Sequence, residues 1–334
     1  MKQALHKFTH TKIFWPLAAL LFLLLLNLII EPRFFAIQIK NGHLFGSLID
    51  ILNRVMPLMI ISIGMTLVIA KEGIDISVGS VLAISGALAA ALLENHSVWL
   101  AIGAALFIGL VCGLWNGILV SVFEIQPMIA TLILLVVGRG IAQLITGGQI
   151  LTINNEIYSY IGTGFLWGLP FSIYIGVVIF LIMMFLKKRT AMGLFLESIG
   201  NNMIASKFAG IQPKRIILLV YTLCGLCAAI AGIIVSANVS SADANNAGLW
   251  IELDAILAVV IGGTSMRGGR YFLGGTIVGA LFIQTLSTTI YSIGINPQIV
   301  MVVKAVVVII VCLFQSTEFR NMFTKFGKKK VSYS

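Results

Sequence analysis

Apolar residues fall along this chain in long blocks broken by short polar stretches. Ten blocks can be marked, at 13–30, 52–70, 76–93, 98–121, 127–145, 168–186, 215–236, 251–266, 272–292 and 297–315. Blocks of this length match the ~17–25 residues needed to cross a bilayer as a helix, though some barely reach it. The pattern predicts an all-α polytopic membrane protein with about ten transmembrane helices in a single domain over 1–334. The first block follows Lys2, Lys7 and Lys12, and Glu31, Pro32 and Arg33 come after it where a signal peptide would have small residues. It therefore reads as a retained span that also directs insertion.

Basic residues orient the blocks. With the start of the chain in the cytoplasm, alternation puts seventeen of the 22 Lys and Arg residues on the cytoplasmic side. They include Lys71, the run Lys187, Lys188 and Arg189, then Lys207, Lys214, Arg215, Arg267, Arg270 and the group from Arg320 to Lys330. Only Arg33, Lys40 and Arg54 fall outside. The positive-inside rule then predicts both termini in the cytoplasm and an even number of spans. Trp15, Trp99, Trp167 and Trp250 lie near block ends, as interfacial rings do, whereas Trp115 is expected to pack inside the bundle.

Under this topology blocks two to five and seven to ten run in opposite senses. Homology between them would make an inverted internal repeat. Each set holds a tight glycine-bearing joint, VIAKEGIDISVGS and VVIGGTSMRGGR. Such joints are either surface turns or broken helices inside the bundle. Gly109, Gly113 and Gly117, and the pair Gly275 and Gly279, have the spacing that lets helices approach closely in lipid.

Composition narrows the function. The hydrophobic class is 59% and charged residues are 10%, against roughly 25% charged in soluble domains. A soluble enzyme is excluded. The net charge of +10 sits at the ends of apolar runs, which argues for the membrane surface and against nucleic acid. Cys112, Cys224, Cys227 and Cys312 all lie in apolar blocks and read as core thiols, the C-x-x-C pair included. His6, His10, His43 and His96 lie outside the blocks and read as surface residues. No G-x-x-x-x-G-K-[ST] or H-E-x-x-H pattern occurs, so neither ATP hydrolysis nor zinc chemistry is expected, and no cofactor.

Polar groups at membrane depth are costly and mark candidate sites. Here they are Glu72, Asp75, Asn116, Arg139, Gln143, Glu252, Asp254, Gln284 and Lys304. Arg139 and Lys304 are expected to be structural charges that pair within the fold, Lys304 with Glu252 or Asp254. Asp75 suits the N-cap of the third block. Residues 187–214 form the one long internal loop between blocks, with apolar and charged positions mixed as on a surface helix. From the residues alone it either lies on lipid headgroups or docks to a partner.

Several stretches carry a specific resemblance that extends over essentially the whole chain. They are GMTLVIAKEGIDISVGSVLAISG (64–86), WNGILV (115–120), IQPMIATLILLVVGRGIAQLITGG (125–148), FLKKRTAMGLFLESIGNNMIASKFAGI (185–211) and SADANNAGLWIELDAILAVVIGGTSMRGG (241–269). Through them the chain resembles the permease subunits of bacterial ATP-binding cassette sugar importers of the ribose-type branch, and most of all the galactofuranose permeases. Two departures stand out. The family commonly has a second glycine where Lys71 or Glu72 stands, and often an apolar residue at Arg267.

The resemblance implies a multi-pass protein of the bacterial inner membrane that is not itself an enzyme. It implies a tandem-domain transport ATPase, a periplasmic sugar-binding protein, a second permease chain (homodimer or heterodimer) and membrane lipid as partners. The sugar implied is galactofuranose, with ribose or another pentose or hexose as alternatives; an ion-coupled secondary carrier is the alternative mechanism. Residues 187–214 become the cytoplasmic coupling loop. Gly193, Leu196, Glu197, Ile199, Gly200, Lys207, Phe208 and Gly210 are its expected contacts with the ATPase, with Leu196, Ile199 and Phe208 entering a cleft. The expected sugar path is Asp75, Asn116, Gln143, Asn246 and Trp250, since sugars need several hydrogen-bonding groups and often an apolar platform.

Overall fold

The computed structural model describes residues 14–30, 32–40, 42–294 and 297–315. The basic groups expected at either end of the chain, with His6 and His10, lie outside the described residues.

Each predicted block is met by a helix. These are α1 (Phe14–Ile30), α2 (Ser47–Ala70), α3 (Val78–Leu93), α4 (Val98–Ser121), α5 (Pro127–Thr146), α7 (Phe171–Arg189), α10 (Pro213–Val239), α11 (Ile251–Ile261), α12 (Leu273–Ser292) and α13 (Pro297–Gln315). Among the described residues six of them, α2, α4, α5, α7, α10 and α12, are long and apolar enough to cross a membrane. Three shorter apolar stretches accompany them, in α1, α3 and α13. Between the long helices lie three short ones, α6 (Glu156–Thr163), α8 (Ala191–Asn201) and α9 (Met203–Phe208).

Helix starts follow local chemistry. Pro127 and Pro213 open α5 and α10, where a missing N–H costs nothing. Ser97, Asn155 and Asn202 cap α4, α6 and α9, each accepting from a backbone N–H three residues on. The end of α2 is closed by Glu72 N–H bonding to the Ile69 carbonyl and Gly73 N–H to the Val68 carbonyl. That closure requires a left-handed residue, and Glu72 adopts φ +67°.

α2 is buried along nearly its whole length, and α10 packs on α4, α2 and α3. Close approach is made through small residues. A Cβ on Gly109 would lie 2.3 Å from the Ala229 Cβ, and one on Gly225 2.4 Å from the Gly109 carbonyl oxygen, so α4 and α10 cross almost backbone to backbone. Gly275 and Gly279 do the same for α12 against α11, at Gly262 and Ala258. Cys224 and Cys227 pack against Gly64 of α2 as buried thiols. Trp115, by contrast, is 51% exposed on the outer face of α4, not inside the bundle.

Among the described residues three small antiparallel ribbons decorate one end. They are β1 (Gln38–Lys40) with β2 (His43–Phe45), β3 (Leu151–Thr152) with β6 (Ser241–Ala242), and β4 (Phe165–Leu166) with β5 (Leu169–Pro170). At the opposite end α8 and α9 lie beneath the C-terminus of α2. There Gly269 N–H bonds to the Ala70 carbonyl, and a Cβ on Gly200 would lie 1.9 Å from that oxygen.

The two glycine-bearing joints differ. Residues 71–77 are a break inside the bundle, with Gly73, Asp75 and Ser77 buried. Residues 262–272 form a surface turn whose tip, Ser265, Met266 and Arg267, is exposed. A second irregular segment lies elsewhere, at 240–250, ahead of the eleven-residue α11; Ala242 and Ala244 in it are buried, while Asn245, Asn246, Leu249 and Trp250 are exposed. This segment runs along α3. Ala242, Asp243 and Ala247 lie beside Leu82, Gly86 and Ala87, and Gly248 reaches Gly79 in the first turn of α3.

Candidate functional site

The sequence-predicted polar residues separate into two groups. The first is sealed within the bundle. Asp75 Oδ1 accepts from the Ser77 N–H at 3.0 Å and the Ser77 hydroxyl at 2.6 Å, and Asn116 Nδ2 donates to Ser77 Oγ at 2.8 Å. Asp75 is thus the acceptor of a tight local turn ahead of α3 rather than the helix cap, because the N–H it binds lies before the first helical residue. The Tyr221 ring of α10 lies 4.6 Å under the Lys71 ammonium. Asp75 is 2% exposed and Asn116 is fully buried.

The second group is open. Arg139, on α5, donates to the carbonyls of Ala244 and Ala247 at 3.0 and 2.6 Å. One helical turn on, Gln143 Nε2 donates to Asn245 Oδ1 at 2.7 Å. Within the 240–250 segment Asp243 gathers the Asn245 and Asn246 N–H groups and the Asn246 side chain. Residues 151–152 pair with 241–242, and Ile153 N–H reaches the Ser240 carbonyl. The segment is therefore fastened along one face of α5, with the Arg139 charge spread over carbonyl dipoles. Gln143, Asn245 and Asn246 remain exposed, and Trp250 is 49% exposed at φ +65°.

Asn245 was legible only as part of the ADANNAGLW stretch, because an asparagine in a loop carries no periodic signal. Glu252 is buried and its Oε2 has no hydrogen-bond partner among the described residues. Lys304 pairs with Asp254 at 2.8 Å, one of the two partners the sequence offered.

In residues 187–214 the expected contact face is not the exposed one. Leu196 and Ile199 are 0% and 4% exposed, so they are already spent on the chain's own core and have no surface for a partner. Gly193 and Gly200 face backbone, against Lys187 and Ala70. Lys187 ties α8 down by bonding to the Tyr271 carbonyl and pairing with Glu197 at 3.4 Å. The apolar side chains that do face outward are Leu194, Met203, Ile204 and Phe208, the last 87% exposed, beside exposed Lys207 and Gly210.

Comparison with known proteins decides the class. Residues 47–312 match the family model described as the branched-chain amino acid transport system / permease component. The chain belongs to this permease family. It is 51% identical to the galactofuranose transporter permease of Escherichia coli over 314 residues, 92% of each chain. It is 40% identical to a fructose import permease of Bifidobacterium longum, over 97% of this chain and 93% of that one. It is 37% identical to the ribose import permease of Escherichia coli, over 89% and 91%. No solved structure matches. Members of the family are transporters, not enzymes, and the apolar helices make this one a multi-pass membrane protein.

Proposed function

We propose that this chain is the transmembrane permease of an ATP-driven monosaccharide importer in the bacterial inner membrane, with galactofuranose as its sugar. The observation that carries the reading is 51% identity, over nine-tenths of both chains, to a galactofuranose permease. A tandem-domain ATPase, a periplasmic sugar-binding protein and a second permease chain complete the machine. Ten helices cross, both termini are cytoplasmic, and the ribbon-bearing end faces outward. The gathering of Lys71, Lys187, Lys188, Arg189, Lys214, Arg267 and Arg270 at the other end supports this orientation.

An inverted repeat accounts for the packing. In each half a long helix leads into an irregular segment and then a short helix that starts inside the bundle: α2, 71–77 and α3, against α10, 240–250 and α11. α10 packs on α3 as α2 packs on α11, and α10 on α4 as α2 on α12. The partner of the 71–77 joint is thus the 240–250 segment, not the 262–270 turn. Broken helices that meet at the repeat interface are where transporters place their paths. Gln143, Asn246 and Trp250 line the open part of the sugar path. Asp75 and Asn116 stand behind it, in the hinge of the first break.

Residues 187–214 couple the permease to the ATPase. Phe208, Ile204, Met203 and Leu194 enter the partner's cleft with Lys207 at its rim, while Leu196, Ile199, Gly193 and Gly200 transmit the push to α2 through Ala70. Uptake of labelled sugar by cells with and without the partner ATPase tests the class. Uptake abolished with the ATPase, and indifferent to collapse of the ion gradient, is the expected result. Uptake that survives loss of the ATPase but collapses with the gradient would make this an ion-coupled carrier instead.

A further inference from the structure

The turn at 262–272 is closed on itself. The Phe272 N–H bonds to Thr264 Oγ1 at 3.1 Å across its mouth, and Thr264 is buried. The helices it joins, α11 and α12, meet through backbone, Gly262 against Gly275 and the Ala258 carbonyl against Gly279. Contacts of this kind leave no side chain to yield, so α11, the turn and α12 form one hairpin that moves as a unit. The turn is one end of that hairpin. The other end, eleven residues and roughly 16 Å away along α11, continues into the 240–250 segment.

α8 is fastened to the turn end at two points. The first is backbone. Gly200, in the last turn of α8, has no room for a Cβ, which would fall on the Ala70 oxygen and the Gly269 nitrogen. A Cβ on Gly268 would lie 2.8 Å from the Gly200 oxygen, and one on Gly269 2.6 Å from Asn201 Oδ1. The second point is Lys187. Its ammonium bonds to the Tyr271 carbonyl, lies 3.7 Å from the centre of the Tyr271 ring and pairs with Glu197 of α8 at 3.4 Å. Tyr271 is 1% exposed, so this grip falls on a residue fixed in the core directly ahead of α12. Farther in, the Thr66 and Thr276 hydroxyls bond at 2.7 Å and tie α12 to α2.

We propose that the hairpin of α11, the turn and α12 is a second output of α8, beside α2: it carries the coupling stroke to the 240–250 segment, with Lys187 and Tyr271 as positioning residues. This rests on the reading of residues 187–214 as the coupling segment. Coupling between distant sites runs through rigid elements in contact. A displacement of α8 enters the hairpin at Gly268, Gly269 and Tyr271 and leaves it at Ile251, the first residue of α11. The segment beyond is held to α5 by Arg139 and Gln143. The stroke is therefore felt as movement of the segment against α5.

The test uses the whole complex, permease with its ATPase and its sugar-loaded binding protein, in proteoliposomes. Lys187→Met removes the grip on Tyr271 and leaves Phe208 and its exposed neighbours untouched. Expected are unchanged co-purification of the ATPase, ATP hydrolysis stimulated as before by the loaded binding protein, and sugar moved per ATP down about tenfold. Lys187→Arg, which keeps the charge, should restore most of that ratio. A fluorophore on Leu253→Cys, at the far end of the hairpin and exposed, is placed in a chain whose native thiols are removed. Its emission should change when a non-hydrolysable ATP analogue binds, and the change should vanish with Lys187→Met. A bridge that only stabilises the fold would lower the amount of complex but leave sugar per ATP and the Leu253 response as they were; that result would overturn the proposal. If Lys187→Met does not insert, Lys187→Gln with Glu197→Gln is judged by the same two readings. Failure of the coupling reading itself looks different: co-purification of the ATPase would then be indifferent to Phe208→Asp.

Discussion

Glu72 closes α2 in a left-handed conformation, at φ +67°. A side chain there costs about 1 kcal/mol relative to glycine. Glu72→Gly should therefore raise the stability of the purified permease by about that amount, read as a higher midpoint of thermal unfolding in detergent. Asp75 makes the opposite case. Its carboxylate holds the Ser77 N–H and hydroxyl inside the bundle. Asp75→Leu leaves both donors unpaired, at about 1–3 kcal/mol each. The expected outcome is a large loss of stability, whereas Asp75→Asn, which keeps an acceptor, retains most of it. Both residues were visible in the sequence as polar positions at membrane depth. Their roles were not, because a turn and a cap differ only in which N–H the carboxylate meets.

α8 shows how far amphipathic spacing alone can be read. Leu196 and Ile199 do share one buried face of a helix, but a periodic stripe does not say whether its cover is the same chain or another protein. Here the cover is the chain itself, and the apolar side chains left exposed are Leu194 on the other side of α8 and Met203, Ile204 and Phe208 on α9. Ile199→Asp should consequently destabilise the permease and lower its amount in the membrane. Phe208→Asp should leave that amount unchanged and reduce co-purification of the ATPase. Equal co-purification with Phe208→Asp and the unaltered chain would remove α9 from the coupling surface. Gly200→Ala should uncouple without touching either apolar face, since its Cβ would lie 1.9 Å from the Ala70 oxygen and the backbone must shift to admit it.

The helix pattern was legible almost end to end. Each predicted block holds a helix, with boundaries moved by a few residues, because continuous apolar runs bounded by charge leave little choice in a bilayer. The 240–250 break was not legible as structure. Its ADANN run reads as an external loop, and it is the hydrogen bonds from Arg139 and Gln143, the ribbon with 151–152 and the approach of Gly248 to Gly79 that hold it against α3 and α5. Orientation is open to direct measurement. A single cysteine placed at Asn95, in a chain whose native thiols are removed, should react with an impermeant reagent from outside. One placed at Met266 should react only from the cytoplasmic side. Reaction of both from the same side would overturn the topology.

Arg139 has a consequence in time. Its two acceptors, Ala244 and Ala247, lie 105 and 108 residues further along the chain. At translation rates of about 5–20 residues per second, the guanidinium waits some 5–20 seconds before those carbonyls have been made. Until then α5 carries an unanswered charge in its middle, and the nascent chain has reason to hold it in the insertion machinery or at the membrane surface. Completion of the second half is then what draws the first half in. A chain ended at Val239 should leave position 139 open to aqueous labelling, and the full chain should close it.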